Sequence, residues 1–199
     1  MDKIFLIIVL VMSAVFHEYM HGYAAFKLGD PTAKNAGRLT FNPIKHLDLF
    51  GSIIVPLMLI ISGASFLFAW AKPVPYNPYN LSDRKYGDAK VAAAGPLANL
   101  ALALIFGLIW RFMPFISIAF SGFIAMIIFI NLILMVFNLI PIPPLDGSKI
   151  LSAFLPPETR HKYLSLEKYG LLFVLLFVFL FSNLMILPVE FLFRLIAGA

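Results

Sequence analysis

Apolar residues gather into five long runs along this chain, at about 4–28, 50–71, 89–113, 115–140 and 170–197, with short polar segments between them. Runs of roughly 20 apolar residues match the helix length that crosses a bilayer core. Four of the five predict transmembrane helices. The first continues past His17 to Leu28 without a turn signal, which predicts a retained helix rather than a cleaved signal segment. The second run carries Gly51, Pro56 and Gly63, then passes into "FLFAWAKPVPYNP", an aromatic, proline-interrupted stretch that predicts extended chain.

The positions of the charges sharpen this pattern. Twelve of the fifteen Lys and Arg residues fall in 27–48, 72–90 and 141–169, so the positive-inside rule assigns all three segments to the cytoplasmic face. A full crossing at 50–71 would put the first two on opposite faces. A re-entrant element, with a short helix going in and an extended segment returning, keeps them together. Hydropathy alone leaves an ordinary transmembrane helix open. Non-helical backbone at that depth must be buried in protein or line a wet cavity.

Composition agrees. The chain is 61% hydrophobic and 13% charged, against about 25% charged in soluble domains. The expected fold is an all-α polytopic membrane protein of about four transmembrane helices, plus a re-entrant or β element near residues 37–77. Residues 1–199 read as one integral-membrane domain. The net charge of +5 is explained by basic loops, so the lipid bilayer is the expected partner and nucleic acid is not. Cysteine is absent, which removes disulfides and thiolate metal ligands.

Against this apolar background stands "FHEYMHGY", Phe16 to Tyr23. Ionisable groups in a membrane helix are costly and point to function. "HEYMH" fits H-E-x-x-H, where positions i and i+4 put His17 and His21 on one helix face. Both imidazoles can reach one Zn²⁺, with Glu18 beside them as general base towards water. His17 lies about 20 Å along a helix that begins at Ile4, which sets the site inside the membrane.

A catalytic zinc takes a third protein ligand. The fourth run ends in "NLIPIPPLDG", where Pro141 must end or kink the helix and Pro143–Pro144 keeps the chain extended up to Asp146. Asp146 is the best third ligand, because it stands at the end of an intramembrane helix. It can share a metal with His17 and His21 only if an even number of crossings separates them, which again requires 50–71 to be re-entrant. Asn131 and Asn138 share a face of the fourth run. In "AAAGPLANL", Ala94, Gly95 and Ala98 read as a small-residue packing face, and Asn99 as bonding a neighbouring helix or lining the site.

"HEYMH", "GPLAN" and "NLIPIPPLDG" together resemble the site-2 protease family of intramembrane zinc metalloproteases. The match covers most of the chain, and the combination of motifs is highly specific. The resemblance implies one Zn²⁺ held by His17, His21 and Asp146, with Glu18 as base. It also implies that Asn138 lies near the site and stabilises the oxyanion. Unlike larger members, the chain carries no PDZ domain and looks like a minimal catalytic core.

The expected activity is cleavage of transmembrane-segment peptide bonds in a membrane-protein substrate, in regulated intramembrane proteolysis. The enzyme is expected in the plasma membrane, with its active site towards the cytoplasm. An unwound substrate would pair with an exposed strand at 66–77, itself paired with 37–42: Pro73 and Pro75 spoil one edge and leave the other intact. A Pro-rich connector that merely covers the site is the plainer reading of the same segment. The alternative function is a membrane metal transporter or metal-binding protein, which needs no Glu18 beside the ligands. A protease-derived scaffold without activity is disfavoured, because all four residues are present. His46 and His161 read as loop residues; Tyr19, Tyr23 and Trp70 read as packing or interfacial aromatics.

Overall fold

The computed structural model describes residues 3–62, 71–113 and 117–198. The described residues form eight α-helices: α1 (Lys3–Lys27), α2 (Thr32–Asn35), α3 (Val55–Ile61), α4 (Gly87–Phe112), α5 (Ile118–Asn138), α6 (Asp146–Ser152), α7 (Pro157–Leu164) and α8 (Gly170–Ala197). No strand occurs among the described residues. Among the described residues, four helices are long and apolar enough to cross a membrane, over Ile4–Lys27, Gly87–Phe112, Phe120–Asn138 and Pro157–Phe181. The first three coincide with predicted runs. The last joins α7, a 3-10 turn and the start of α8.

Side-chain contacts fix the helix directions. His21 meets Val91, and His17 meets Asn99, so α1 and α4 run antiparallel. Asn99 meets Asn131 in turn, and α5 returns alongside α1. A Cβ on Gly170 would lie 2.6 Å from Pro144, while Gly107 of α4 abuts Ile196. α8 therefore starts beside the loop that follows α5 and ends near the far end of α4. It is continuous for 28 residues, about 42 Å at 1.5 Å per residue, with Pro188 inside it.

The main apolar core lies between α4, α5 and α8, where Ala103, Ile124, Ile128, Leu132, Met135 and Val189 are buried. Elsewhere large apolar side chains face outward, such as Ile4 on α1 and Phe179 on α8, which are 67% and 80% exposed. In lipid an outward apolar side chain costs nothing, so association rests on close packing and on the satisfaction of polar groups.

Among the described residues, the second apolar run holds no helix long enough to cross a membrane. Its helical part comprises a wide turn at Leu49–Ile54 followed by α3, 13 residues that span at most about 20 Å. The Lys72 N–H donates to the His46 carbonyl at 2.9 Å. Residues 46 and 72 therefore lie side by side, as the re-entrant topology expected from the charge pattern requires. Residues 63–70, including Trp70 and the first part of the predicted strand, lie outside the described residues.

Candidate metal centre

Two triplets of residues, each spaced by four, build the centre. Ser13, His17 and His21 face the bundle interior from α1, and Val91, Gly95 and Asn99 answer from α4. The His21 Nδ1 lies 2.7 Å from the Val91 carbonyl. A carbonyl only accepts, so Nδ1 carries the proton and Nε2 is left with its lone pair. The His17 Nδ1 is 2.6 Å from the Asn99 Oδ1.

The orientation of that amide follows from its surroundings. Asn99 Nδ2 donates to Asn131 Oδ1 at 2.9 Å and towards the Ser13 carbonyl, while Asn131 Nδ2 donates to the Ile127 carbonyl and to Ser13 Oγ. Backbone carbonyls anchor the chain of amides, and its polarity presents an acceptor to His17. Both histidines are thereby fixed in the tautomer that frees Nε2. Asn99 and Asn131 are fully buried, so these bonds are made in a low-dielectric interior where a missing partner is expensive.

Gly95 leaves room for both rings. A Cβ there would lie 2.5 Å from His21 Nε2 and 2.6 Å from His17 Nε2. The third donor comes from α6, whose first residue is Asp146. The adjoining Gly147 packs where a Cβ would meet the Leu139 carbonyl oxygen at 2.1 Å, so only glycine lets the chain turn back this tightly after α5.

Asp146 Oδ2 lies 3.1 Å from His17 Nε2 and 3.2 Å from His21 Nε2, and the two Nε2 atoms are 3.0 Å apart. Ligands of a tetrahedral Zn²⁺ at 2.0–2.1 Å stand about 3.3 Å from one another. The observed triangle matches that spacing within a few tenths of an ångström. Two imidazole nitrogens and one carboxylate oxygen form a donor set suited to a catalytic zinc, which takes three protein ligands.

Glu18 is half-buried beside His17, and its Oε2 accepts the Val74 N–H at 2.8 Å. Residues 71–77 are non-helical, as predicted, and lie against α1. The predicted ladder with 37–42 is absent among the described residues. Instead, the Arg38 Nη2 donates to the carbonyls of Lys72 and Pro73, at 2.8 and 3.4 Å. The edge expected to receive substrate is also taken, since the amides of Lys72 and Val74 are bonded to His46 and Glu18. The segment is therefore a strap over the site rather than a free strand.

The far end of this strap is held by Asp30, which is fully buried. It accepts from the Asn77 N–H at 2.6 Å, the Asn80 Nδ2 at 2.8 Å, and both the N–H and hydroxyl of Thr32. Burial alone raises a carboxyl pKa, but these donors outweigh it and hold Asp30 below the usual carboxylate range.

Asn138 does not bond His17, Glu18, His21 or Asp146. Its Nδ2 donates to the Leu134 carbonyl of its own helix at 2.8 Å. His46 is the buried last residue of a 3-10 turn and bonds the Thr40 carbonyl, and His161 is exposed on α7, so neither is the loop residue expected. Tyr19 stacks on Phe41 at 4.3 Å and on Tyr23 at 6.1 Å, as expected of packing aromatics. Nothing in the sequence alone assigns supporting roles to Ser13, Asn131, Gly95 or the Val74 amide. The four-residue spacing of both triplets is nevertheless visible in it.

A membrane-spanning bundle that buries two histidines and an aspartate able to hold a metal ion is the design of an integral-membrane metalloprotein. The chain belongs to Peptidase family M50, the site-2 protease family, whose profile matches residues 5–119 and 113–182. It is 40% identical over 185 residues to "Putative zinc metalloprotease YwhC" of Bacillus subtilis (strain 168), covering 87% of this chain and 80% of that one. Two proteins named "Putative zinc metalloprotease Rip2" also match. The one from Mycolicibacterium smegmatis (strain ATCC 700084 / mc(2)155) is 34% identical, over 82% of this chain. The one from Mycobacterium tuberculosis (strain ATCC 25618 / H37Rv) is 31% identical, over 83% of this chain. This chain spans 62% of the length of each Rip2 protein. No solved structure matches. The protein is a zinc metalloprotease.

Proposed function

We propose that this protein is an intramembrane endopeptidase that cuts peptide bonds in the transmembrane segments of membrane-protein substrates, in regulated proteolysis. The observation that carries this reading is the convergence of His17 Nε2, His21 Nε2 and Asp146 Oδ2 inside the bundle, with Glu18 on the next residue of α1. In this reading His17, His21 and Asp146 hold the zinc. Zinc, when bound, supplies Lewis acidity that acidifies water and polarises a carbonyl.

The chain's own groups do the rest. Glu18 takes a proton from the attacking water and returns it to the leaving amine. The Asn99–Asn131–Ser13 network keeps the His17 imidazole from rotating and holds its tautomer, and the Val91 carbonyl does the same for His21. Asn138 is the candidate oxyanion donor: one of its two amide protons is spent on Leu134, and the other remains to be offered. A substrate helix hides its carbonyls in i to i+4 bonds, so it must unwind locally before attack. Twelve of fifteen basic residues cluster in segments at the end of the bundle that carries the site, which favours a cytoplasmic orientation in the plasma membrane.

The test compares wild type and Glu18→Gln for zinc content and for cleavage of a reconstituted transmembrane substrate. Zinc should stay at one per chain while cleavage falls by about 10²–10⁴-fold, the range for loss of a general base. Equal cleavage by both proteins would refute the mechanism.

A further inference from the structure

We propose that the backbone N–H of Val74 is the positioning group for Glu18, and that the strap from Lys72 to Asn77 exists to hold that single amide in place. The inference rests on Glu18 being the base.

The argument begins with "KPVPYN", Lys72 to Asn77. Proline has no N–H, so between residues 73 and 75 the chain offers one backbone donor, that of Val74. The two prolines also restrict the backbone around it to extended conformations. This one donor is spent on Glu18 Oε2, at 2.8 Å. A carboxylate has two oxygens, and securing one of them sets the direction of the other.

Everything flanking the amide is fastened. On one side the Lys72 N–H binds the His46 carbonyl, and Arg38 grips the carbonyls of Lys72 and Pro73. On the other, the Asn77 N–H binds the buried Asp30. The Val74 side chain is itself buried, against α1 at Gly22, where a Cβ would lie 2.8 Å from Val74 Cγ1. Glycine at position 22, one turn beyond Glu18, therefore lets the strap come close enough for the bond. Arg38 and Asp30 are buried polar groups outside the metal-donor set, and both bond the strap.

The physical benefit is orientation. Glu18 has three rotatable bonds and is only half-buried, so an unheld carboxylate would sample several directions. A backbone amide suits the task better than a side chain: it has no rotamers of its own and stays neutral at any pH. A base held within hydrogen-bond reach of water gains from such preorganisation.

The experiment replaces Val74 in the full-length chain by its α-hydroxy acid, Val74→α-hydroxyisovalerate. This exchanges the N–H for an ester oxygen and keeps the side chain. Val74→Pro is made alongside, and both are also placed in the Glu18→Gln background. Zinc content and steady-state cleavage of the reconstituted substrate are measured for each. Expected is a fall in kcat of about 10–100-fold, the cost of a misplaced catalytic group, with KM and zinc content unchanged. No further loss should appear on top of Glu18→Gln, since the amide acts only through that carboxylate.

Unchanged or increased kcat would overturn the proposal, an increase meaning that the amide masks the base. Zinc loss, or an equal further loss in the Glu18→Gln background, would also overturn it by revealing a merely structural strap. The parent reading fails separately: if Glu18→Gln cleaves like wild type, Glu18 is not the base. If that variant is inactive while the ester variant is fully active, only the present inference fails.

Discussion

One helix, α4, serves two different interfaces. Its first half, from Val91 to Asn99, meets α1 through histidines, amides and a glycine. Its second half, from Ala103 to Gly107, meets α5 and α8 through aliphatic and aromatic side chains. The apolar seam is held by many small dispersion contacts, none of which is decisive. The polar seam is a chain of single bonds in which each partner has no substitute, and a lost partner leaves a buried group unpaired. The candidate metal donors His17 and His21 sit on the seam that tolerates least change.

This contrast can be broken at graded cost. Gly95→Val should be the most severe change, because even its Cβ would overlap the two Nε2 atoms. Zinc content and cleavage should both fall to background, measured by metal analysis and substrate assay. Normal zinc content in this variant would mean that the rings can move aside and that the polar seam is not rigid. Asn99→Leu comes next. With the His17 Nδ1 partner gone, zinc affinity should weaken by about 10–100-fold in competition with a chelator, the usual cost of losing such an outer hydrogen bond.

Asp30→Ala tests the strap's anchorage. It strips the Asn77, Asn80 and Thr32 donors of their acceptor and should destabilise the fold by about 1–3 kcal/mol at neutral pH. The folded-state pKa of Asp30 is lowered, so its contribution is fully present above the ordinary carboxylate range and is lost as pH falls through the lower folded value. The gap in stability between wild type and Asp30→Ala should therefore narrow on acidification, followed by denaturation at several pH values. A gap that widened in acid would contradict the assignment. Smallest is Ile128→Val in the apolar seam, which should cost about 0.5–1.5 kcal/mol and leave zinc content untouched. Zinc loss there would erase the distinction between the seams.

Much of the site was legible before any fold was known. His17, Glu18 and His21 come from one helical turn, and the period of the α-helix alone puts both rings on one face. Asp146 was expected from its place at the end of an intramembrane helix, and a re-entrant second run from the charges on either side of it. The Lys72–His46 bond agrees with that topology. Asn138 was less legible. A spacing of seven puts it on the face of Asn131, yet Asn131 supports Asn99 while Asn138 bonds back to its own helix. Sequence spacing reports a face, and the bundle decides what that face meets. The strand expected at 66–77 is a similar case. Its extended character was readable from the prolines, but its hydrogen-bond partners lie in α1 and in the segments at Arg38 and His46.

What the sequence by itself determined was the inventory and the local geometry: four spans, two histidines on one face, an aspartate delivered by prolines, and a single amide between Pro73 and Pro75. These rest on helical period, hydropathy and the missing proline N–H, which are properties of neighbouring residues. Only the tertiary structure decided that Ser13, His17 and His21 face Val91, Gly95 and Asn99, and that the Val74 amide reaches Glu18. Those pairings join residues 56 to 86 positions apart. They depend on how closely the packed helices approach, which no local pattern encodes.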